Sequence, residues 1–268
     1  MRIRENTLSI NEQPLFYRIT GQGRTVILVH GFGEDGTVWH EQAQFLGKDF
    51  QLIIPDLPGS GQSALASDVS MECMAETLKL LLDELEITSC VMIGHSMGGY
   101  VTLAFAEKYP EMLEAFGLFH STAYADSEEK KVNRRRSITF IRQHGSDKFM
   151  EQSIPNLFSN EFKQEHPAAI SNMIDQYRNF LPDALVAYYE AMIERPDRVA
   201  VLTSFPRPIL FVMGASDTAV PIQQGLQQCY LPHISQVEIL KNSGHMGMME
   251  ETGTANQLLH NFCHLVTE

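Results

Sequence analysis

The chain of 268 residues is 44% apolar and 20% charged, which provides for a sizeable core and argues against disorder. Its 33 acidic and 20 basic side chains leave a formal charge of −13, which disfavours nucleic acid and anionic membranes as partners but leaves room for a locally basic pocket. No apolar stretch approaches the ~18 residues of a membrane span, the N-terminus shows no secretory apolar region, and Cys73, Cys90, Cys229 and Cys263 form no C-x-x-C pair, so a cytoplasmic protein with free thiols is expected.

The first element is a predicted hairpin, Leu8–Ile10 and Leu15–Ile19 around the turn-rich Asn11-Glu12-Gln13-Pro14. Four continuous apolar runs follow along the chain: Thr25–Val29, Leu52–Ile54, Cys90–Ile93 and Ile209–Met213. Runs apolar on both parities are the mark of parallel strands covered on both faces. Ala115–Phe119 and Val237–Leu240 are weaker members of the set. Helical periodicity fills the intervals: Ser70–Glu86, Ser96–Tyr109 before Pro110, and Thr252–Val266. Strand and helix alternate, so the fold class is α/β with a mostly parallel central sheet and helices on both faces.

Residues 123–205 break the alternation. They read as helix after helix, a helical insert between a core of residues 1–122 and 206–268. Its basic run, Lys130, Lys131, Arg134, Arg135 and Arg136, follows Glu128 and Glu129 at ion-pairing spacings and reads as a solvated face, with a contact from one arginine to a substrate carboxylate as the alternative.

The chemistry is carried by Gly94-His95-Ser96-Met97-Gly98, which joins the strand Cys90–Ile93 to a helix. G-x-S-x-G in that setting is a tight turn that strains the serine backbone and stands its hydroxyl above the sheet, at a helix N-terminus whose dipole favours a developing oxyanion. With that turn the chain resembles the α/β-hydrolase family over nearly its full length, particularly the capped Ser-Asp-His hydrolases such as small carboxylesterases and enol-lactonase-like enzymes. His30-Gly31-Phe32-Gly33 after Thr25–Val29 is similar to the family's oxyanion segment. The resemblance implies backbone N–H donors at Phe32 and Met97, a catalytic acid at Asp217 in Gly214-Ala215-Ser216-Asp217, and a base at His245 in Ser243-Gly244-His245, with Glu250 five residues on. Asp126 is the alternative acid. Pro55–Ser63 resembles the family's D-x-x-G-x-G-x-S loop, structural there. Ser96, Asp217 and His245 each lie just past a predicted parallel strand, where open α/β sheets place ligands.

Other candidates are weaker. His260 and His264 lack the Glu and the third ligand of a zinc helix and read as a surface pair. Gly21-Gln22-Gly23 lacks the third glycine of a dinucleotide fingerprint, so no cofactor or metal is implied. His30 and His95 are expected to support their loops and Trp39 to pack in the core. The pocket wall should come from the insert, which offers Met150, Phe158, Met173, Tyr177, Phe180, Tyr188, Tyr189 and Met192, at least half of them expected to form its own core. His120, Phe158 and Tyr188 are the candidate substrate contacts. The expected activity is hydrolysis of a small-molecule ester, lactone or related acyl bond through an acyl-enzyme, with all of the catalytic machinery in the core and the insert as a cap. A slow-triad small-molecule sensor is the alternative, and a C–C bond hydrolase or a cofactor-free perhydrolase is compatible. Substrate identity and oligomeric state are not encoded in these motifs.

Overall fold

Each continuous apolar run of the sequence is a strand of one eight-stranded sheet in the computed structural model, which describes residues 3–266. The strands are β1 (Arg4–Ile10), β2 (Gln13–Thr20), β3 (Thr25–Val29), β4 (Gln51–Pro55), β5 (Cys90–His95), β6 (Leu113–Phe119), β7 (Ile209–Gly214) and β8 (Ser235–Leu240), in spatial order β1-β2-β4-β3-β5-β6-β7-β8. β2 runs antiparallel to β1 and β4, and all other pairs are parallel. The β1–β2 turn falls at Asn11 and Glu12, both at positive φ.

The central strands β3, β5 and β7 are buried at every residue because helices cover both faces. β8 closes the sheet as an edge strand and instead alternates, with Val237 and Ile239 exposed. The helices α1 (His40–Leu46), α2 (Met71–Glu84) and α3 (Met97–Lys108) follow β3, β4 and β5. Ser70 caps α2, its side chain accepting the Cys73 N–H. Between β6 and β7 the described chain carries no strand but five α-helices: α4 (Glu128–Ser153, broken at Gly145), α5 (Asn160–Glu165), α6 (Pro167–Tyr177), α7 (Pro182–Glu194) and α8 (Val199–Ser204). After β7 come α9 (Ile222–Leu226), α10 (Gly247–Glu250) and α11 (Thr252–Leu265). Among the described residues no helix is long and apolar enough to cross a membrane.

The strand order reverses at β3, which pairs with β4 on one side and β5 on the other. Chain leaving the carboxyl ends of β3 and β5 therefore diverges and opens a crevice. His30-Gly31-Phe32 and Ser96 stand at that crevice, and the helices inserted between β6 and β7 roof it.

Candidate active site

Between residues 90 and 106 every residue is buried except Ser96. The reason is local. Ser96 has φ 51° and ψ −115°, a conformation that costs a non-glycine residue energy and persists only where the surroundings enforce it. Its N–H donates to the Phe119 carbonyl (2.9 Å) and its carbonyl accepts from Ser121 Oγ (2.8 Å). The flanking glycines make the turn possible. A Cβ on Gly94 would stand 2.3 Å from the Gly98 carbonyl oxygen, and one on Gly98 would stand 2.5 Å from the carbonyl oxygens of Val29 and His30.

Asp217 follows β7 and is 6% exposed. Its Oδ1 accepts the N–H groups of Ala219 (2.8 Å) and Val220 (2.9 Å), and its Oδ2 accepts from His245 Nδ1 (2.8 Å) and His120 Nδ1 (3.0 Å). Burial pushes this carboxyl up, but the two imidazoles outweigh burial and hold it well below the usual carboxylate range. His120, buried among the same groups, is driven down to about 4 by desolvation and stays neutral. The His120, Asp217 and His245 side chains are the one group of potential metal ligands lying close together among the described residues. Their ligating atoms already bond to one another, which suits a hydrogen-bonded relay rather than a cation.

His245 follows β8. Its N–H donates to the Leu157 carbonyl (2.6 Å), and its own carbonyl accepts from His95 Nε2 (3.0 Å). The carboxylate of Glu250 brackets the loop, accepting from Gly244 N (2.9 Å), Met246 N (3.1 Å) and Ser159 N (2.8 Å). Leu157 and Ser159 belong to the insert, so the insert helps to hold the His245 loop. Ser96, Asp217, His245, Phe32 and Met97 themselves all lie outside residues 123–205.

His95 reaches on to Glu34, Nδ1 to Oε2 at 3.0 Å, and Glu34 also accepts the Gly31 N–H (2.8 Å). Burial disfavours both charges. Each is nonetheless stabilised by the other, which lowers the Glu34 carboxyl and raises the His95 imidazole, leaving a buried ion pair beneath the Gly31–Phe32 turn. Glu34 was not singled out in the sequence, and its signal is a carboxylate four residues beyond the histidine of His-Gly. His30 bonds Leu57 N through Nε2 (2.9 Å) and Gly31 O through Nδ1 (2.9 Å), a loop brace.

Ser96 and His245 open together into a cavity of about 460 Å³ between core and insert. Met150, Met173, Tyr189 and Met192 of the insert line it, and Tyr189 stacks on Phe32 with ring centroids 4.2 Å apart. Neither the Phe32 nor the Met97 N–H donates to another group among the described residues. The three candidate substrate contacts lie off the cavity wall. His120 turns beneath the floor onto Asp217. Phe158 stacks on Phe162 (5.3 Å), and Tyr188 is fully buried with its hydroxyl on Ser60 Oγ (2.8 Å) and the Pro58 carbonyl (2.7 Å). Helical periodicity shows which residues a helix buries, not which body they are buried against.

The basic run divides in the same way. Arg135 and Arg136 are exposed and Lys131 pairs with Glu128 (3.0 Å), as a solvated face should, but Lys130 and Arg134 face the cavity. Asp126 is held by Arg134 and Arg195, which commits it elsewhere than to His245. Trp39 packs fully buried against Phe119 and His95, and His260 pairs with Asp49 at the surface. Asp56 and Ser63 of the Pro55–Ser63 loop bond Arg18, Gly36 and Phe16, a structural set.

A strained serine after β5, an acid after β7 and a histidine after β8 on such a sheet agree with the family comparison. The model of the alpha/beta hydrolase family matches residues 26–256, and the chain belongs to that family. It is similar to a thermophilic esterase from Thermogutta terrifontis, with 31% identity, 99% of each chain covered and a TM-score of 0.91. It shares the fold of the enol-lactonase from Burkholderia xenovorans LB400 at 22% identity, over 98% of this chain and 100% of that one, with a TM-score of 0.90. A curated relative, the putative carbamate hydrolase RutD of Pantoea ananatis, is 26% identical over 91% of each chain.

Proposed function

We propose that the protein is a serine hydrolase that cleaves an ester, lactone or related acyl bond of a small molecule through an acyl-enzyme. The observation that carries this reading is the Asp217–His245 bond of 2.8 Å beside a cavity into which Ser96, the one partly exposed residue of its segment, opens. Asp217 accepts the His245 Nδ1 proton, so Nε2 holds the lone pair a general base needs. Ser96 Oγ attacks the carbonyl carbon and its proton passes to Nε2. The carbonyl oxygen becomes an oxyanion held by the free N–H groups of Phe32 and Met97. Collapse expels the alcohol, which takes the proton from Nε2. Water, deprotonated by the same nitrogen, then releases the acid and restores Ser96.

The helices of residues 123–205 act as a cap that shapes the pocket and excludes water. The similar proteins named esterase, enol-lactonase and putative carbamate hydrolase agree with acyl chemistry. The four free thiols fit a reducing cytoplasm.

A fluorophosphonate probe should label Ser96 alone, and Ser96→Ala should abolish both labelling and turnover while the protein stays folded. Sustained multiple turnover of a methyl ester separates an enzyme from a slow-triad sensor. Label mapped to another residue on active protein would overturn the assignment.

A further inference from the structure

The cap side of the cavity holds more positive charge than its neighbours neutralise. Arg134 lines it with a side chain only 12% exposed, and its Nε donates to Asp126 at 2.5 Å. The buried Asp126 carboxylate also takes Arg195 at 2.9 Å, so two guanidinium groups share one counter-charge. Lys130 lies one turn before Arg134 on α4 and lines the same wall, and its Nζ donates to the Ala219 carbonyl (3.0 Å) rather than to a carboxylate. Glu129 is the exposed acid of this rim, and Glu34, on the cavity's other side, is matched by His95. Among the cap residues that line the cavity, Lys130 and Arg134 against Glu129 leave a surplus of one positive charge in a chain of net charge −13, while Asp126 is shared with Arg195 behind the wall.

Tyr100 reports the same field. It lines the cavity beneath the Arg195 guanidinium, 3.8 Å from its ring centroid. Burial pushes its phenol up, yet Arg195, Lys130 and Arg134 pull it below its ordinary value. Tyr100 stands four residues after Ser96, about one helical turn along α3, so the ring under the Arg195 guanidinium and the nucleophile line the same cavity as Lys130 and Arg134. Surplus positive charge on the wall of a cavity attracts an anion into it.

We infer that the substrate of the Ser96 site carries a carboxylate that docks at Lys130 and Arg134, so that the bond cleaved is the ester of a half-ester of a small dicarboxylic acid. This rests on the serine hydrolase reading and names its substrate class. A monoanion is chosen because the surplus is about one charge. Each turnover would convert a monoanionic half-ester and water into the dicarboxylate, an alcohol and one proton.

The test is proton release in a pH-stat with the monomethyl esters of succinate, glutarate and adipate against methyl butanoate, pentanoate and hexanoate. At least one half-ester should exceed the neutral ester of equal chain length tenfold in kcat/KM. Lys130→Glu, which reverses the charge at a half-buried position one turn from Arg134, should cut that ratio tenfold or more, and Lys130→Met, which only removes the charge, should cut it less. Cleavage of both series with no preference, or a preference that survives Lys130→Glu, overturns the inference and leaves the hydrolase reading standing. If no ester is cleaved and the fluorophosphonate does not label Ser96, the hydrolase reading fails. The carboxylate site is then decided by calorimetry with glutarate on the wild-type protein. Binding lost in Lys130→Glu supports the site, and no binding, or binding unaffected by that substitution, removes it.

Discussion

Asp217 accepts two backbone N–H groups on one oxygen and two imidazoles on the other, so both faces of its carboxylate are committed. An amide there has a single acceptor oxygen. In Asp217→Asn its NH₂ must face either two N–H donors or two Nδ1–H groups, and it favours the wrong His245 tautomer. The expected loss in kcat is on the order of 10³–10⁴, read from ester turnover and from a matching fall in the rate of probe labelling at Ser96.

His120 gives a second test at this scale. Its folded value near 4 lies below its ordinary 6.5. A depressed imidazole favours the folded state when neutral, so this contribution is present above pH 6.5 and lost as pH falls towards 4. The loss amounts to about 3 kcal/mol at most. Other buried groups act in other windows. The Asp217 contribution is lost below about 3.8 and that of Glu34 below about 4.5, whereas that of the raised His95 is lost as pH rises above 6.5. Between pH 7 and pH 5 the His120 loss runs against a gain from His95, so chemical denaturation should show stability changing less favourably towards pH 5 in wild type than in His120→Asn. An unchanged slope in the variant would assign the acid sensitivity to other groups.

The elements differ in how far the sequence discloses them. The strand-end motifs are legible because backbone geometry constrains them strictly. Only glycine fits at 94 and 98, and only a short strained turn presents Ser96. Aromatic residues on the insert helices are not legible in the same way, since their destinations depend on packing against other elements. Met150, Met173, Tyr189 and Met192 reach the cavity, whereas Tyr177, Phe180, Phe158 and Tyr188 do not line it. Charged residues are harder still: Lys130 and Arg134 repeat at the spacing of a solvated face and face the cavity instead.

The division between wall and strut predicts different behaviour. Tyr188→Phe removes the hydroxyl that joins α7 to Ser60 and Pro58. It should cost about 1–3 kcal/mol through unpaired buried partners, seen as a lower Tm, with the ranking of ester chain lengths preserved. Met192→Ala removes wall, and should change kcat/KM unequally between short and long acyl chains by roughly 1–3 kcal/mol. A reshuffled ranking in Tyr188→Phe, or a uniform fall in folded Met192→Ala, would reverse the two assignments.

At the scale of the whole molecule, the insert and the sheet share their apolar interior and their polar ties. One hydrophobic cluster runs from Ile10 to Cys263 through the insert's Tyr188 and Met192. Leu157 and Ser159 bind the His245 loop, and the Arg198 N–H bonds the Ala123 carbonyl where the insert leaves and rejoins the core. Helices that bury one face against another body gain most of their stability from that contact rather than from their own propensity. The insert should therefore not unfold as a separate unit. The single tryptophan makes this measurable. Trp39 is fully buried against Phe119 in the core and outside the insert, so its fluorescence follows the sheet, whereas helical circular dichroism draws heavily on residues 128–204. The two signals should change together in one cooperative transition during denaturant unfolding. Glu250→Gln, which weakens the clamp between the His245 loop and Ser159, should lower the shared midpoint and reduce turnover without separating the curves. Loss of ellipticity before the Trp39 change in wild type would mean that the cap opens independently, and its helices would then be a mobile gate over Ser96 rather than a fixed wall.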